Sequence, residues 1–340
     1  MKLRLFMLRN SKIVLHSRPH GLPVRDNFSL VSDGIPIPME GQVLVRIDLI
    51  SLDPAMRGWM NEGTTYISGV GLGEVMRAFS AGQVVESRHP AFKKGDWVSG
   101  LLGVQAYSCL SGDYLSPLDL SLVPLEEHLG VLGMPGMTAY FGLLERGKPE
   151  QGNTLLVLGA SGIVGMTVGQ IGRIMGCRVI GTAGSLEKGQ FLKEICGFDE
   201  VILYKTEKMS ERLREYCPGG VDILFDNVGG SALDSGLAAL ARGSRVVICG
   251  AISQYNESSF SGPRNYMKIV TARATMSGII VFDFQSRYPE AISTISQWLK
   301  EGKLITRSDI YEGLENFPGT LNKLFKGENF GKLLLRVNHD

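Results

Sequence analysis

The sequence has few of the residues that zinc sites and disulfide frameworks require. It contains five cysteines and five histidines in 340 residues, with no CxxC pair, and Cys109 is the only cysteine among the first 176 residues. Zinc sites combine Cys, His and acidic ligands at characteristic spacings, and neither residue type shows such a spacing here. An odd number of scattered cysteines is typical of a reduced, cytoplasmic protein. The composition therefore predicts free thiols and no metal.

The sequence also lacks an excess of charge of either sign and a long hydrophobic run. It has 35 basic and 34 acidic residues, a formal net charge of +1, which argues against a nucleic-acid surface or a polybasic membrane patch. No segment approaches the roughly 20 apolar residues of a membrane helix. The opening apolar run is short and interrupted by Arg4, so it predicts a first strand rather than a signal peptide.

The pattern of apolar residues divides the chain into two kinds of structure. Alternation over residues 42–49, a turn at 93–96 and a strand starting at Trp97 predict a compact β domain in the first third. From Thr154 onward, apolar strands (154–158, 178–181, 201–203, 222–225 and 245–248) alternate with helical patterns at 163–175 and 186–195. This α/β alternation predicts a doubly wound parallel sheet. A last helix is expected at 291–300, and a closing strand at 331–337.

A glycine-rich turn, G-A-S-G-I-V-G at 159–165, joins the first of these strands to a helix. Dinucleotide-binding folds need such a turn because a pyrophosphate must approach backbone N–H groups at a helix N-terminus. Gly162 would permit that approach, and Gly165 would let the helix lie close to the strand. Ala160 stands where the first glycine is usual. A tight structural turn is the alternative, but the strand before and the helix after favour a dinucleotide site.

The end of the second strand bears on the choice between NAD and NADP. NAD sites usually carry an acid there, whereas G-T-A-G-S at 181–185 has none, and Lys188 follows three residues later. The hydroxyl groups of this segment and the ammonium of Lys188 can donate hydrogen bonds to a 2′-phosphate, which an acid would repel. Glu187 is the contrary feature, and a solvated helix charge is the alternative interpretation of Lys188. NADPH is the predicted cofactor.

The absent G-x-S-x-G elbow argues against a serine hydrolase, and the missing metal site favours conjugate reduction over alcohol oxidation. Alcohol oxidation commonly uses a Lewis acid to stabilise the alkoxide. Conjugate reduction requires a hydride at the β-carbon and a hydrogen-bond donor at the carbonyl oxygen.

Several longer motifs carry a resemblance to one family. They are D-P-A-M-R-G at 53–58, G-M-P-G-M-T-A-Y-F-G-L-L at 133–144, F-D-N-V-G-G at 225–230, C-G-A-I-S-Q-Y-N at 249–256 and G-E-N-F-G-K at 327–332. With the 181–185 segment and Lys188, they make the chain resemble the zinc-free medium-chain dehydrogenase/reductases, in the leukotriene/prostaglandin reductase branch that includes curcumin and 2-alkenal reductases. The family commonly has D-P-Y-M-R, so Ala55 is a departure that affects the expected substrate range.

This resemblance implies a GroES-like catalytic β domain (1–125 and 305–340), a Rossmann NADP-binding domain (126–304) and a homodimer built through the Rossmann domains. It implies cofactor contacts at Gly162, Ile163, Val164, Gly165, Lys188, Tyr204, Asn227, Cys249, Gly250, Ala251, Ile252, Ser253, Gln254 and Asn329. It places an apolar substrate pocket at Leu101, Leu102, Ile280 and Val281, although core packing explains these residues nearly as well.

Two tyrosines are the candidates for catalysis. Tyr255 ends the loop after a sheet strand, and the resemblance implies that it hydrogen-bonds the nicotinamide ribose. The resemblance also places Tyr66 on the substrate side, where its phenol would donate to the enolate oxygen, with water as the rival proton source. Packing aromatics with polar tips are the alternative for both, and Tyr266 and Tyr107 are weaker candidates.

The predicted function is NADPH-dependent reduction of the carbon–carbon double bond of a small hydrophobic enone or enal, without zinc. An NADPH-dependent quinone reductase on the same scaffold is one alternative. A non-catalytic NADPH-binding sensor or structural protein is another.

Overall fold

The computed structural model describes residues 9–63 and 66–339. It divides the chain into two compact units, and we call them the terminal unit (Met1–Leu129 with Ser308–Asp340) and the central unit (Gly130–Arg307). The terminal unit is thus formed by both ends of the chain. The strand predicted at the N-terminus falls on residues 1–8, which lie outside the described residues.

The strands of the described residues are numbered in chain order. They are β1 (Arg9–Leu15), β2 (Phe28–Gly34), β3 (Gln42–Ser51), β4 (Ser80–Ser87), β5 (Trp97–Gly100), β6 (Tyr107–Ser111), β7 (Ser116–Pro117), β8 (Thr154–Leu158), β9 (Arg178–Ala183), β10 (Glu200–Leu203), β11 (Val221–Asp226), β12 (Leu240–Ile248), β13 (Thr275–Gly278), β14 (Ser308–Glu312) and β15 (Lys332–Arg336).

The α-helices follow the same convention. They are α1 (Ala55–Trp59), α2 (Leu125–Leu129), α3 (Met134–Phe141), α4 (Ile163–Ile174), α5 (Leu186–Glu194), α6 (Met209–Tyr216), α7 (Gly230–Ala238), α8 (Lys268–Ala272), α9 (Tyr288–Lys300) and α10 (Phe317–Lys326). A wider helical turn, Gly142–Gly147, continues α3, and a 3₁₀ segment, Val281–Arg287, precedes α9. None of the helices in the described part of the chain is long and apolar enough to cross a membrane.

The terminal unit is built on a largely antiparallel seven-stranded sheet with β3 at its centre. Strand β3 pairs with β4 along one edge, and with β6 and β15 on successive halves of the other. Strands β1 and β2 form a separate antiparallel pair. Seven of the ten residues of β3 are buried, as expected of a strand with neighbours on both sides. The sequence alternation over 42–49 therefore identified the central strand of this unit.

A buried ion pair joins the two ends of the chain within the terminal unit. The Lys332 ammonium, 1% exposed, donates to the Asp53 carboxylate at 2.8 Å and to the Leu52 carbonyl at 3.1 Å. The Ser51 hydroxyl donates to the other carboxylate oxygen of Asp53. A buried charge is tolerated when it is paired and hydrogen-bonded, and all these partners supply that condition.

The central unit contains a six-stranded parallel sheet in the order β10-β9-β8-β11-β12-β13. The chain starts at β8, moves outward to β10, and returns to β11 to build the other half. This is the doubly wound arrangement predicted from the sequence, and the predicted α/β fold is confirmed. Its connection reverses between β8 and β11, where ligands bind in open α/β sheets.

Apolar residues hold the strands of the central unit to helices on the faces of the sheet. Leu156, Ile180 and Leu224 are fully buried in one cluster that also includes Leu213 of α6 and Leu237 of α7. Since β8 is buried along four of its five residues, it reads in the sequence as a continuous apolar run. Helix α9 starts at Tyr288, three residues before the predicted start at 291.

Candidate functional site

The glycine turn lies between β8 and α4, at the carboxyl end of the central strand. Gly159 leaves the strand with φ +71°, a conformation that glycine adopts readily, and its N–H donates to the Thr182 hydroxyl at 3.0 Å. The Ala160 N–H donates to the Thr182 carbonyl at 3.0 Å. These bonds fix the turn to β9, and helix α4 then begins at Ile163 with Gly162 as its N-cap.

Gly162 and Gly165 are glycines for different reasons. A Cβ at Gly165 would lie 2.3 Å from the Gly159 carbonyl oxygen and 2.8 Å from the Ala160 Cα, so packing of α4 against the turn requires glycine there. A Cβ at Gly162 would meet only the Gly159 oxygen at 3.8 Å, and Gly162 has an ordinary φ of −81°. Nothing in the fold of the turn demands glycine at 162. The bare backbone there leaves room for a group from outside the chain, which fits a pyrophosphate cradle.

The ends of β9 and β10 bring the predicted 2′-phosphate residues to one region. Lys188 lies in the first turn of α5, whose N-cap Ser185 accepts from the Lys188 N–H at 3.4 Å. Lys188 is buried, with 8% exposure, so it is not the solvated helix charge that was the alternative. Tyr204 follows β10, is 48% exposed, and donates its backbone N–H to the Ala183 carbonyl at 3.2 Å.

Asn227 and the loop after β12 meet at the switch point of the sheet. The Asn227 amide donates to the Leu158 carbonyl at 2.9 Å, which ties the end of β11 to the end of β8. The backbone N–H groups of Cys249 and Gly250 both donate to the Asp226 carbonyl, at 2.8 and 3.2 Å. The loop 249–255 is therefore held against the loop that follows β11.

Further bonds join this loop to the segment that follows β11 and to Ser261. Ile252 N–H donates to the Asn227 carbonyl at 3.2 Å, and the Ser253 hydroxyl donates to the Val228 carbonyl at 2.7 Å. The Gln254 side chain donates to the Ser261 carbonyl at 3.0 Å. The sequence-predicted residues of this loop thus form one ordered turn beside the glycine turn.

The side chain of Tyr255 folds back onto the backbone of its own loop. Its hydroxyl oxygen accepts from the Ala251 N–H at 3.2 Å, and a Cβ at Gly250 would lie 2.8 Å from that oxygen. The tyrosine is half-buried, and the bare backbone at Gly250 admits its hydroxyl. The phenol oxygen is thereby fixed at the surface of the loop that was expected to contact the cofactor.

Asp226 ends β11 and is the most buried charged group of this region, with 0% exposure. Its carboxylate accepts from the Val228 N–H at 2.8 Å and from the Gly229 N–H at 2.9 Å. Burial raises the pKa of Asp226 to about 6, while the two N–H groups act in the opposite direction. Burial, and secondarily the charge of Asp226, raises the pKa of the Cys249 thiol to about 12, so this thiol stays protonated at neutral pH.

Four of the predicted residues belong to the terminal unit. Tyr66 is 50% exposed, and Thr64 and Thr65, which precede it, lie outside the described residues. The Asn329 amide donates to the Gly331 carbonyl at 3.2 Å. Leu101 is 41% exposed, whereas Leu102 is buried at 1%, which favours core packing for Leu102.

The other two predicted pocket residues, Ile280 and Val281, lie in the central unit. Ile280 is 36% exposed and Val281 is 7% exposed. The 3₁₀ segment that follows is anchored by Phe284, whose ring stacks on Phe141 of α3 with centroids 4.7 Å apart. Core packing thus explains Val281, and Ile280 remains the accessible member of the pair.

The weaker tyrosine candidates differ in burial. Tyr107 is 7% exposed and its ring packs edge-on against His339. Tyr266 is 57% exposed. The environment of Tyr107 is that of a packing aromatic.

Three features of the region escaped the reasoning from sequence. Thr182 holds the glycine turn, Asp226 organises the two loops, and Gly184 makes room for the residues after β10. A signal existed for the first two, since each is a polar residue at the end of an otherwise apolar strand. Among the described residues, no cluster of three or more His, Cys, Asp or Glu side chains could hold a metal ion.

Comparison with known proteins assigns the family. A family model described as the N-terminal domain of oxidoreductase matches residues 11–118, and one described as zinc-binding dehydrogenase matches residues 164–297. The chain is 43% identical over 345 residues to the NADPH-dependent curcumin reductase of Escherichia coli (strain K12), covering 98% of each chain. It is 38% identical to the 2-alkenal reductase (NADP(+)-dependent) of Nicotiana tabacum, over 97% of this chain and 98% of that one.

A solved structure agrees with these sequence relatives. The crystal structure of CurA from Vibrio vulnificus in complex with NADPH superposes with a TM-score of 0.91 at 42% identity, over 97% of this chain and 100% of the other. The match includes both units, and the resemblance stated from sequence motifs is confirmed. The chain therefore belongs to the zinc-free medium-chain dehydrogenase/reductases, in the branch that contains the curcumin and 2-alkenal reductases.

Proposed function

We propose that this protein is an NADP-dependent oxidoreductase acting on CH–CH groups, which reduces the carbon–carbon double bond of α,β-unsaturated aldehydes or ketones. The observation that carries the proposal is the open backbone at Gly162 beside the packed Gly165, at the switch point of the sheet. Support for the substrate class comes from the names of the relatives, a curcumin reductase and a 2-alkenal reductase that depend on NADPH or NADP(+).

The cofactor proposal rests on the residues of the central unit. The N–H groups at the start of α4, from Gly162 to Gly165, would hold the pyrophosphate, and Lys188 and Tyr204 would bind the 2′-phosphate. Asn227 and the loop 249–255 would line the ribose and nicotinamide. Bound NADPH supplies a hydride for the β-carbon of the substrate.

The protein's own chemical task is then to stabilise negative charge on the substrate carbonyl oxygen. A phenol O–H is a suitable donor to an oxyanion, and Tyr66 is half exposed. Tyr255 would act on the ribose hydroxyl from the ordered loop in which its oxygen is fixed. Protonation at the α-carbon completes the reduction, with Tyr66 or water as the source.

The accessible apolar residues suit a hydrophobic substrate. Leu101 and Ile280 each expose more than a third of their surface, so both offer apolar contact area. Leu102 and Val281 are buried, and core packing explains both. Ala55 in place of the usual tyrosine would leave more space, and we propose that it widens the range of enones accepted.

The first experiment is a turnover panel in which NADPH absorbance is followed with 2-alkenals, ring enones, bulky dienones and quinones. Oxidation of NADPH with enals and enones, and little with quinones, is the expected result. Turnover confined to quinones would instead make the protein a quinone reductase. Binding of NADPH without consumption across the panel would leave a cofactor-binding sensor or structural protein.

A tyrosine substitution tests the assignment of Tyr255. Tyr255→Phe removes one hydroxyl, and kcat should fall by about tenfold to a hundredfold because a group that acts in the transition state is lost. Tyr114→Phe is the control, since Tyr114 is a 75% exposed tyrosine to which no role is assigned, and its kcat should be unchanged. Equal activity of Tyr255→Phe and the unsubstituted protein would contradict this role.

We also propose a homodimer built through the central units, and a cytoplasmic location. Support for the dimer comes from β13, which is the edge strand of its sheet, and from the exposed apolar residues Tyr266, Met267 and Val270 just before it. Sedimentation should give twice the chain mass, and Val270→Glu should shift the measured mass toward that of the monomer.

Support for the cytoplasmic location comes from the five free cysteines.

A further inference from the structure

The segments that follow β9 and β10 leave the sheet side by side. The two strands are parallel, with Ala183 in register with Leu203, and the Tyr204 N–H donates to the Ala183 carbonyl at 3.2 Å. Gly184 therefore lies next to Tyr204 and Lys205. This is the edge at which the second strand of a dinucleotide fold meets the adenosine ribose.

Gly184 is the point where both neighbouring side chains approach the backbone. A Cβ at Gly184 would lie 2.9 Å from the Tyr204 hydroxyl and 3.5 Å from Cε of Lys205. The lysine side chain is therefore folded back over the end of β9 rather than directed away from the sheet. Lys188 lies four residues after Gly184, in the first turn of α5.

The acid nearest to Lys205 in the chain is engaged elsewhere. One oxygen of the Glu207 carboxylate accepts from the Leu203 N–H at 2.7 Å, and the other accepts from Arg212 at 2.8 Å. Both oxygens of Glu207 thus have partners on the body of the unit. Lys205 is exposed, so its ammonium can meet an anion from solvent.

We propose that Lys205 is a second cation for the 2′-phosphate of the cofactor, beside Lys188, and that Gly184 is glycine because a Cβ there would displace the Tyr204 hydroxyl, 2.9 Å away, next to Lys205. The inference rests on the proposed NADPH dependence and extends it to a residue that sets specificity for NADPH over NADH. A phosphate carries up to two negative charges and three acceptor oxygens, so two ammonium groups and a phenol hydroxyl match its binding capacity.

The test uses calorimetric binding of adenosine 2′,5′-bisphosphate and of adenosine 5′-monophosphate, which differ by the 2′-phosphate alone. Lys205→Ala should weaken binding of the bisphosphate by about tenfold and leave the monophosphate unchanged, because one charge-assisted contact is lost. The difference should shrink as salt is added, since the contact is exposed. Lys208→Ala is the matched control: that lysine is ion-paired with Glu211 at 3.1 Å, and its removal should change neither affinity.

Gly184→Ala provides a second, independent variant. Its new methyl group would displace the Tyr204 hydroxyl, 2.9 Å away, and would touch the Lys205 stem at an ordinary 3.5 Å, so bisphosphate affinity should fall while the melting temperature stays within about 2 °C of the unsubstituted protein. Equal bisphosphate affinity in Lys205→Ala and the unsubstituted protein would overturn the role of Lys205. If the unsubstituted protein itself does not prefer the bisphosphate, the proposed NADPH dependence fails, and the assignment of Lys205 fails with it.

Discussion

Each unit buries one carboxylate at the end of a central strand, and the two are stabilised in different ways. Asp53 of the terminal unit follows β3 and is paired with the ammonium of Lys332 at 2.8 Å. Asp226 of the central unit ends β11 and accepts hydrogen bonds from the backbone of Val228 and Gly229. The first carboxylate is stabilised by a positively charged side chain beside it, whereas the second is stabilised by main-chain N–H dipoles.

The difference shows that the two units depend on different kinds of residue for their stability. In the terminal unit, Lys332 and Asp53 are 279 residues apart in the chain, and their charges fasten the last strand to the first half of the unit. In the central unit, the region proposed to bind the cofactor is organised by glycines and by hydrogen bonds between backbone groups and the uncharged or singly charged side chains of Thr182, Asp226 and Asn227. We therefore expect the stability of the terminal unit to depend most on a charged side-chain pair, and that of the central unit to depend on positions where glycine leaves the backbone bare.

The largest effect is expected when the ion pair is broken from one side. Lys332→Met leaves Asp53 buried without its cation and should destabilise the protein by about 3–5 kcal/mol. Urea unfolding followed by fluorescence measures the loss. Lys208→Met, at an exposed ion pair, is the control and should change stability by less than about 1 kcal/mol.

A double variant separates pairing from packing. Asp53→Leu combined with Lys332→Met removes both charges and should recover much of the loss, because the cost of the single variant lies in the uncompensated carboxylate. A double variant as unstable as Lys332→Met would contradict the view that charge pairing dominates at this site.

The second effect concerns the unpaired carboxylate. The raised folded-state pKa of Asp226, about 6, means that the native state favours the protonated form. Its contribution to stability is present below the unfolded-state pKa of about 4 and is lost as pH rises through about 6, an effect of up to about 3 kcal/mol.

Asp226→Asn removes this titration while keeping an oxygen for the N–H groups of Val228 and Gly229. The difference in unfolding free energy between the variant and the unsubstituted protein should move in favour of the variant between pH 4 and pH 7. Parallel stability curves over that range would show that the pKa of Asp226 is the same in the folded and unfolded states.

The smallest pair of effects tests the role of the backbone in the glycine turn. Gly165→Ala would push a methyl group to 2.3 Å from the Gly159 carbonyl and should cost about 1–3 kcal/mol of stability. Gly162→Ala meets no close atom and should leave stability within about 1 kcal/mol, yet it should weaken NADPH binding in a fluorescence titration. Unchanged NADPH affinity in Gly162→Ala would remove the proposed pyrophosphate cradle.

The parallel sheet could be predicted in some detail from the sequence. The five apolar runs after Thr154 coincide with β8 to β12, since strands covered on both faces must be apolar throughout. Helix α3 and the β1–β2 pair were not predicted. Residues 134–141 are apolar on nearly all sides, without the one-sided periodicity on which helix prediction depends.

The candidate site was predicted unevenly. The glycine turn carries a residue pattern with a physical meaning of its own, so its position could be predicted before the fold was known, whereas the role of the loop 249–255 was predicted only through the resemblance to the family. The bond from the Ala251 N–H to the Tyr255 hydroxyl and the burial of Lys188 depend on how the loop and the helix pack. No local pattern contains that information.

The sequence by itself determined the class of fold and the position of the phosphate turn, because strand periodicity and glycine spacing are local properties of the chain, and its longer motifs carried the resemblance to the family. Only the tertiary structure decided that Lys332 meets Asp53, that Gly162 is open while Gly165 is packed, and that Lys205 lies against Gly184. Those facts depend on which segments lie side by side, and that is set by the burial of apolar surface over the whole unit rather than by any short stretch of residues.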